Sequence, residues 1–242
     1  MPSLDADLLR STLRDELRAA WATLCDRHAQ DGLYGFGVYT TPSASYLMVT
    51  AFSEKGLDEV VARYVSDFGE GGRAARARKT MLAQGGKPDD PALLRRTLRW
   101  SPCDSPLHAV GEGLLPKSDQ ILKDIDFEGR WAEASEDMDD DEFEEACETP
   151  DPELQEVFQV IVQVLQALDR DGLFGTGAQR ERLVVSVWQG DQSNESRYDF
   201  AKQLNPDEAT RRFGREMNDA AQASDELWNR TGRSRAGASA FE

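Results

Sequence analysis

Eight consecutive residues, Ser101-Pro102-Cys103-Asp104-Ser105-Pro106-Leu107-His108, carry a hydroxyl, a thiol, a carboxylate and an imidazole within one short stretch. Acyl transfer uses such groups when a histidine removes the nucleophile's proton and an acid orients the histidine. Their closeness in sequence is weak support for that chemistry, because a triad is a spatial arrangement and the same residue types also cap helices and fill turns. A small hydrolase or modifying enzyme using this region is therefore the alternative reading.

The second chemically loaded region is acidic. From Glu133 to Glu156 the chain has thirteen Asp or Glu residues and no Lys or Arg. Its centre is Asp137, Asp139, Asp140, Asp141, Glu142, Glu144, Glu145 and Glu148. Gathering like charges costs self-repulsion, which invites a partner-based explanation; an array of this kind steers a basic protein surface toward itself and adds specificity. Trp131 and Phe143 are the apolar residues that would anchor such an interface. The bland alternative is a solvated acidic face, as charge runs usually are. Asp139-Asp140-Asp141 lacks the glycine turn and distal glutamate of a calcium loop.

The whole chain reinforces the sign. Its formal net charge is −17 and its isoelectric point is near 4.6, which argues against nucleic acid and against an anionic membrane surface as partners. No stretch reaches about 18 uninterrupted apolar residues, and the N-terminus has neither a cationic start nor an apolar signal core, so the expected location is the cytoplasm. Cys25, Cys103 and Cys147 form no CxxC pair, and His28 and His108 are the only histidines. No cofactor, metal or catalytic set is expected. Gly35-Phe36-Gly37 opens a strand rather than following one, and Gly69 to Gly72 lacks the trailing Gly-Lys-Ser/Thr of a phosphate loop.

These residues must be held by a folded body. Leu4 to His28 has the three-and-four spacing of an amphipathic helix, closed at Asp31-Gly32. Tyr34 to Thr40 and Tyr46 to Phe52 read as a strand pair, and Ser53 as the N-cap of a helix through Phe68. Residues 73–99 form a basic section onto which part of the acidic stretch can fold. Leu98 to Pro102 reads as a short strand or edge that turns into a helix continuing through Leu107 to Leu115. A strong helix spans Glu153 to Leu168, a strand Arg182 to Gln189, and two helices run from Ser193 to Leu204 and from Glu208 to Trp228. Trp100 and Trp188, beside strand-like sequence, read as core residues.

The phrase Asp-Gly-Leu-aromatic-Gly occurs twice, at Asp31 to Gly35 and at Asp171 to Gly175, each time closing an apolar helix ahead of a strand. The two are related helix-turn-strand units rather than a true repeat. Strands are few and separated by helices. The expected fold is α/β or α+β, with one small mixed or antiparallel sheet wrapped by several helices. It forms a single compact domain over 1–229, with 133–150 as an insertion or loosely docked helix and 230–242 as a disordered tail.

In order along the chain, the Leu33 to Thr41 strand, Leu98-Arg99-Trp100-Ser101-Pro102, Asp171 to Gly175, Arg182 to Trp188, Gly190-Asp191 and Leu204-Asn205-Pro206 resemble the uncharacterised bacterial family of domain of unknown function 4303. The resemblance covers roughly Leu8 to Phe213. After Arg-Trp-Ser-Pro the family tends to show an acidic-aromatic pair; here Cys103-Asp104 keeps the acid and loses the aromatic. Association of such families with polymorphic toxin genes implies an immunity protein. The functional expectation is thus a non-enzymatic binding protein that inhibits a cognate toxin, such as a basic nuclease-type effector, through its acidic surface. A scaffold with no toxin partner is the remaining alternative.

Overall fold

The structure, a computed structural model, describes residues 3–135 and 151–228. The chain opens with helix α1 (Ala6–His28), whose first turn is capped by the Asp5 carboxylate and whose Leu9, Leu13, Leu17, Ala20 and Leu24 are buried. Gly32, at φ +69°, supplies the left-handed turn into strand β1 (Leu33–Thr40). Strand β2 (Leu47–Ser53) returns antiparallel to it. Ser53 then caps helix α2 (Glu54–Phe68) through Gly56 N–H.

Helices α3 (Ala75–Ala83) and α4 (Pro91–Leu98) follow, the latter capped by Asp90. Next come a 3₁₀ turn (Pro102–Asp104), α5 (Pro106–Val110), α6 (Pro116–Ile125) and α7 (Phe127–Ser135). After the acidic stretch the chain forms α8 (Pro152–Arg170), α9 (Gly177–Glu181), strand β3 (Val184–Gln189), α10 (Asn194–Leu204) and α11 (Asp207–Trp228).

The three strands form one mixed sheet in the order β2-β1-β3, with β1 and β3 parallel. Two units therefore lie side by side. In each, a long apolar helix (α1, α8) ends in the repeated glycine phrase before its strand, and the two helices pack on each other. The second unit inserts α9 between phrase and strand, so the likeness is of plan and not of detail.

Side-chain alternation sorts the sheet into two buried faces. Phe36, Val38, Val49, Ala51, Val185 and Val187 pack with α1 and α8 in the main core. Tyr39, Phe52, Val184 and Trp188 face the other way, against Trp100 and the Ala201, Phe213 and Met217 side chains of α10 and α11. A third cluster joins α2, α4 and α11 through Leu57, Val60, Leu93, Leu94, Leu98 and Leu227.

Two sequence expectations fail here. Leu98 to Pro102 is not a strand: Leu98 ends α4, Arg99 keeps helical backbone angles, and Trp100 turns inward. The aromatic content that suggested a strand serves burial instead, since Trp100 is 2% exposed and meets Tyr34, Phe52, Trp188 and Phe213 at ring separations of 4.9 to 5.9 Å. Gly35 makes that possible; a Cβ there would lie 2.7 Å from Phe52 and 2.8 Å from Trp100. Nor does the following helix reach Leu115, because it stops at Val110 and Gly111 lies against the Val49 backbone.

Candidate functional site

Of the acidic interface expected from sequence, Asp137, Asp139, Asp140, Asp141, Glu142, Phe143, Glu144, Glu145 and Glu148 lie outside the described residues, as does Cys147. Trp131 is described: it sits on α7 and is 41% exposed. The end of the stretch is structural. Asp151 caps α8 by accepting from Glu153 and Leu154 N–H, and Glu153 holds Arg130 at 2.6 Å.

Five of the eight Lys and Arg residues of the basic section find counter-charges within the folded body. Arg73 pairs with Asp67 at 2.9 Å, Arg78 with Asp89 at 3.1 Å, Arg95 with Glu54 at 2.5 Å and with Asp58. Arg96 forms a two-pronged contact with Asp219, and Arg99 reaches both Glu54 at 2.8 Å and Glu216 at 3.2 Å. Burial pulls Arg99 down, but the two carboxylates outweigh it and hold the guanidinium above its ordinary range. Five arginines of 73–99 are thus matched by Glu54, Asp58, Asp67, Asp89, Glu216 and Asp219.

The Ser101 to His108 region is built as a set of local locks. Ser101 Oγ donates to Asp104 Oδ2 at 2.7 Å, and Tyr64 OH donates to the other oxygen of Asp104 at the same distance. Ser105 Oγ donates to the Ala51 carbonyl at 2.6 Å and so ties the turn to β2. His108 Nδ1 lies 3.2 Å from Thr50 Oγ1, and its ring meets the Tyr39 ring edge-on at 4.7 Å. The His108 ring makes its hydrogen bond to Thr50 and not to Ser101, Cys103 or Ser105; the Ser101 hydroxyl goes to the Asp104 carboxylate and the Ser105 hydroxyl to a carbonyl. Burial lowers the His108 pKa, and burial together with Asp104 pushes the Tyr64 phenol up to about 12.

Cys103 is exposed, and its Sγ–H donates to Tyr39 OH at 3.6 Å. Tyr39 stacks on Tyr46 with ring centroids 6.2 Å apart. Burial raises the pKa of both phenols. Among the described residues no group of three or more His, Cys, Asp or Glu is placed to hold a metal ion, and no helix is long and apolar enough to cross a membrane.

A separate open groove of about 560 Å³ lies between α8 and α10. Gln155, Gln159, Gln163 and Gln166 line one wall and Phe158 and Phe200 lie within it, so it is neutral on an acidic molecule.

The phrases that carried the family resemblance occupy structural positions. Arg99 and Trp100 reach Glu216 together, and Asn205 works as a surrogate strand. Its amide oxygen accepts from Val185 N–H and its amide nitrogen donates to the Val185 carbonyl, both at 2.7 Å, which closes the outer edge of β3. Arg180, only 5% exposed, is clamped against Asn205, the Leu204 carbonyl and Asp169. The profile of the family described as "Domain of unknown function (DUF4303)" matches residues 13–206, most of the chain. The chain belongs to that family. Comparisons with curated proteins and with solved structures give no match. In this member, the family phrases Arg-Trp-Ser-Pro and Leu-Asn-Pro fasten α4 to α11 and β3 to α10.

Proposed function

We propose that this DUF4303 protein is a binding protein, an immunity-type inhibitor that covers a basic protein toxin with its acidic segment. What supports the reading is the internal pairing of five of the six arginines between 73 and 99. Because the folded body supplies their counter-charges, Asp137 to Glu148 are not needed to neutralise these five and are left to act on a partner, on a chain of net charge −17. Asp151 and Glu153 lie outside that role, since the first caps α8 and the second holds Arg130.

Such a surface raises the association rate above the roughly 10⁵ to 10⁶ M⁻¹s⁻¹ of uncharged encounters, and salt weakens the gain. The test is capture of partners by the tagged full chain from its host, or from cells co-expressing the neighbouring gene products, at low and high salt. A single stoichiometric partner of basic charge that weakens as salt rises supports the proposal. Absence of any partner at both salts contradicts it.

A further inference from the structure

The groove between α8 and α10 is walled by amides. Six of its ten lining residues are glutamine, and although 30% of the chain is charged, none of the ten is Asp, Glu, Lys or Arg. Gln155, Gln159 and Gln163 recur at every fourth residue and Gln166 follows three on, so one face of α8 presents all four. Ser196, Phe200 and Gln203 share a face of α10 by the same spacing, and Gln189, the last residue of β3, joins them. Gln166 Nε2–H donates to the Gln203 carbonyl at 3.0 Å and ties the two helices together. The apolar part is Val162, which is buried, with half-buried Phe158 and Phe200, whose ring centroids lie 6.3 Å apart.

Much of the hydrogen-bonding capacity of these walls is uncommitted. Among the described residues the side-chain amides of Gln159 and Gln189 have no partner. Ser196 Oγ accepts from Gln192 Nε2 at 3.1 Å and keeps its own proton to donate, and Gln203 spends its Nε2 on the Asp199 carbonyl but keeps Oε1. Amides and hydroxyls both donate and accept, as sugar hydroxyls do, and flat aromatic faces suit the apolar C–H faces of a pyranose ring. A charged ligand would shed its water here without meeting a counter-charge. A peptide laid in a helical groove relies on a row of apolar anchors, whereas amides outnumber the apolar side chains in this one. The volume of about 560 Å³ falls within the roughly 300–1,000 Å³ of small-ligand sites. From Gln155 to Gln166 the helix rises roughly 16 Å, enough for a short oligosaccharide.

We propose that the groove between α8 and α10 binds a neutral saccharide, with Phe158 and Phe200 against its ring faces and Gln159, Gln189 and Ser196 hydrogen-bonding its hydroxyls. The proposal goes beyond the immunity reading and does not depend on the role of the acidic segment.

Nuclear magnetic resonance of the full chain supplies the test. Maltose, cellobiose and N,N′-diacetylchitobiose are added separately, and acetyl-trialanine-amide serves as a neutral peptide, each to about 10 mM so that a dissociation constant of about 1 mM is detected. Saturation transfer from protein to ligand protons reports binding, and proton–nitrogen correlation spectra follow the glutamine side-chain amides. The expected result is transfer to the ring C–H protons of at least one disaccharide, with the Gln159 and Gln189 amide signals moving on the same titration. Phe200→Leu keeps apolar bulk and removes the ring face, and Gln159→Ala removes an exposed amide; each is expected to weaken binding about threefold to tenfold. If Phe200→Leu does not fold, Phe158→Leu takes its place. No transfer to any of the disaccharides, binding of the peptide in their place, or undiminished affinity in both variants overturns the proposal.

Discussion

Trp100 and Glu216 are joined by a hydrogen bond from the indole Nε1–H to Oε2 at 3.0 Å, and Arg99 Nε lies 3.2 Å from the same oxygen. One carboxylate on α11 thus serves two consecutive residues that follow α4. Glu216→Ala is expected to lower stability by roughly 2–3 kcal/mol, as it leaves the indole N–H unsatisfied and removes one of the two carboxylates from Arg99. Glu216→Gln keeps an acceptor for the indole and costs less, about 1 kcal/mol. Urea unfolding of both variants checks the order.

The Asn205 side chain carries more than its size suggests. Asn205→Ala strips both hydrogen bonds from Val185 and one acceptor from buried Arg180, and about 2–4 kcal/mol of stability is expected to go with them. Asn205→Asp retains the acceptor for Val185 N–H but turns a carboxylate oxygen toward the Val185 carbonyl. It should fall short of the native protein in thermal melting despite its similar shape.

Gly37 and Gly71 separate two reasons for glycine. A Cβ on Gly37 would lie 1.8 Å from the Ser186 carbonyl oxygen, so Gly37→Ala must push β1 and β3 apart and is expected to cost at least about 3 kcal/mol. Gly71 faces open space but holds φ +78°, so Gly71→Ala pays only backbone strain, about 1 kcal/mol. Thermal melting distinguishes them, and equal losses would contradict the assigned register of the parallel pair.

His108 contributes a stability that depends on pH. Burial lowers its pKa below the ordinary 6.5, so the unfolded chain takes up the proton first as pH falls. Stability therefore declines as pH drops through about 6.5 toward the lower folded value. Asp31, Asp171, Glu208 and Asp219, held below the usual carboxylate range by His28, Arg14, Arg211 and Arg96 respectively, also lose their contribution as pH falls, in a more acid window. In a His108→Gln variant the decline near pH 6.5 is expected to vanish while the loss below the carboxylate range persists, as followed by urea unfolding across pH.

Much of this architecture was legible in the residues. The leucine spacing of α1 and the valine-rich pattern of α8 mark long helices, Ser53 marks the cap of α2, and the two glycine phrases mark the paired units. Trp100 misled because burial in an aromatic cluster and membership in a strand leave the same local composition. Helices α3, α4 and α6 span only nine, eight and ten residues, so the buried positions Leu93, Leu94 and Leu98 of α4 and Leu122 and Ile125 of α6 make stripes too short to stand out among the charges; α4 is held in addition by Arg96 with Asp219, 123 residues apart. The contact of the Cys103 thiol with Tyr39 was hidden for the same reason, since it joins segments 64 residues apart.

The central claim, that the acidic segment steers a basic protein partner, is tested most directly by stopped-flow association with the captured partner across ionic strength. The native chain is compared with one carrying Asp139→Lys, Asp140→Lys, Asp141→Lys and Glu142→Lys. The account predicts that the native rate falls steeply with salt, and that the variant associates about tenfold or more slowly at low salt with a flattened salt slope. Identical rates and identical salt slopes for the two chains would contradict it.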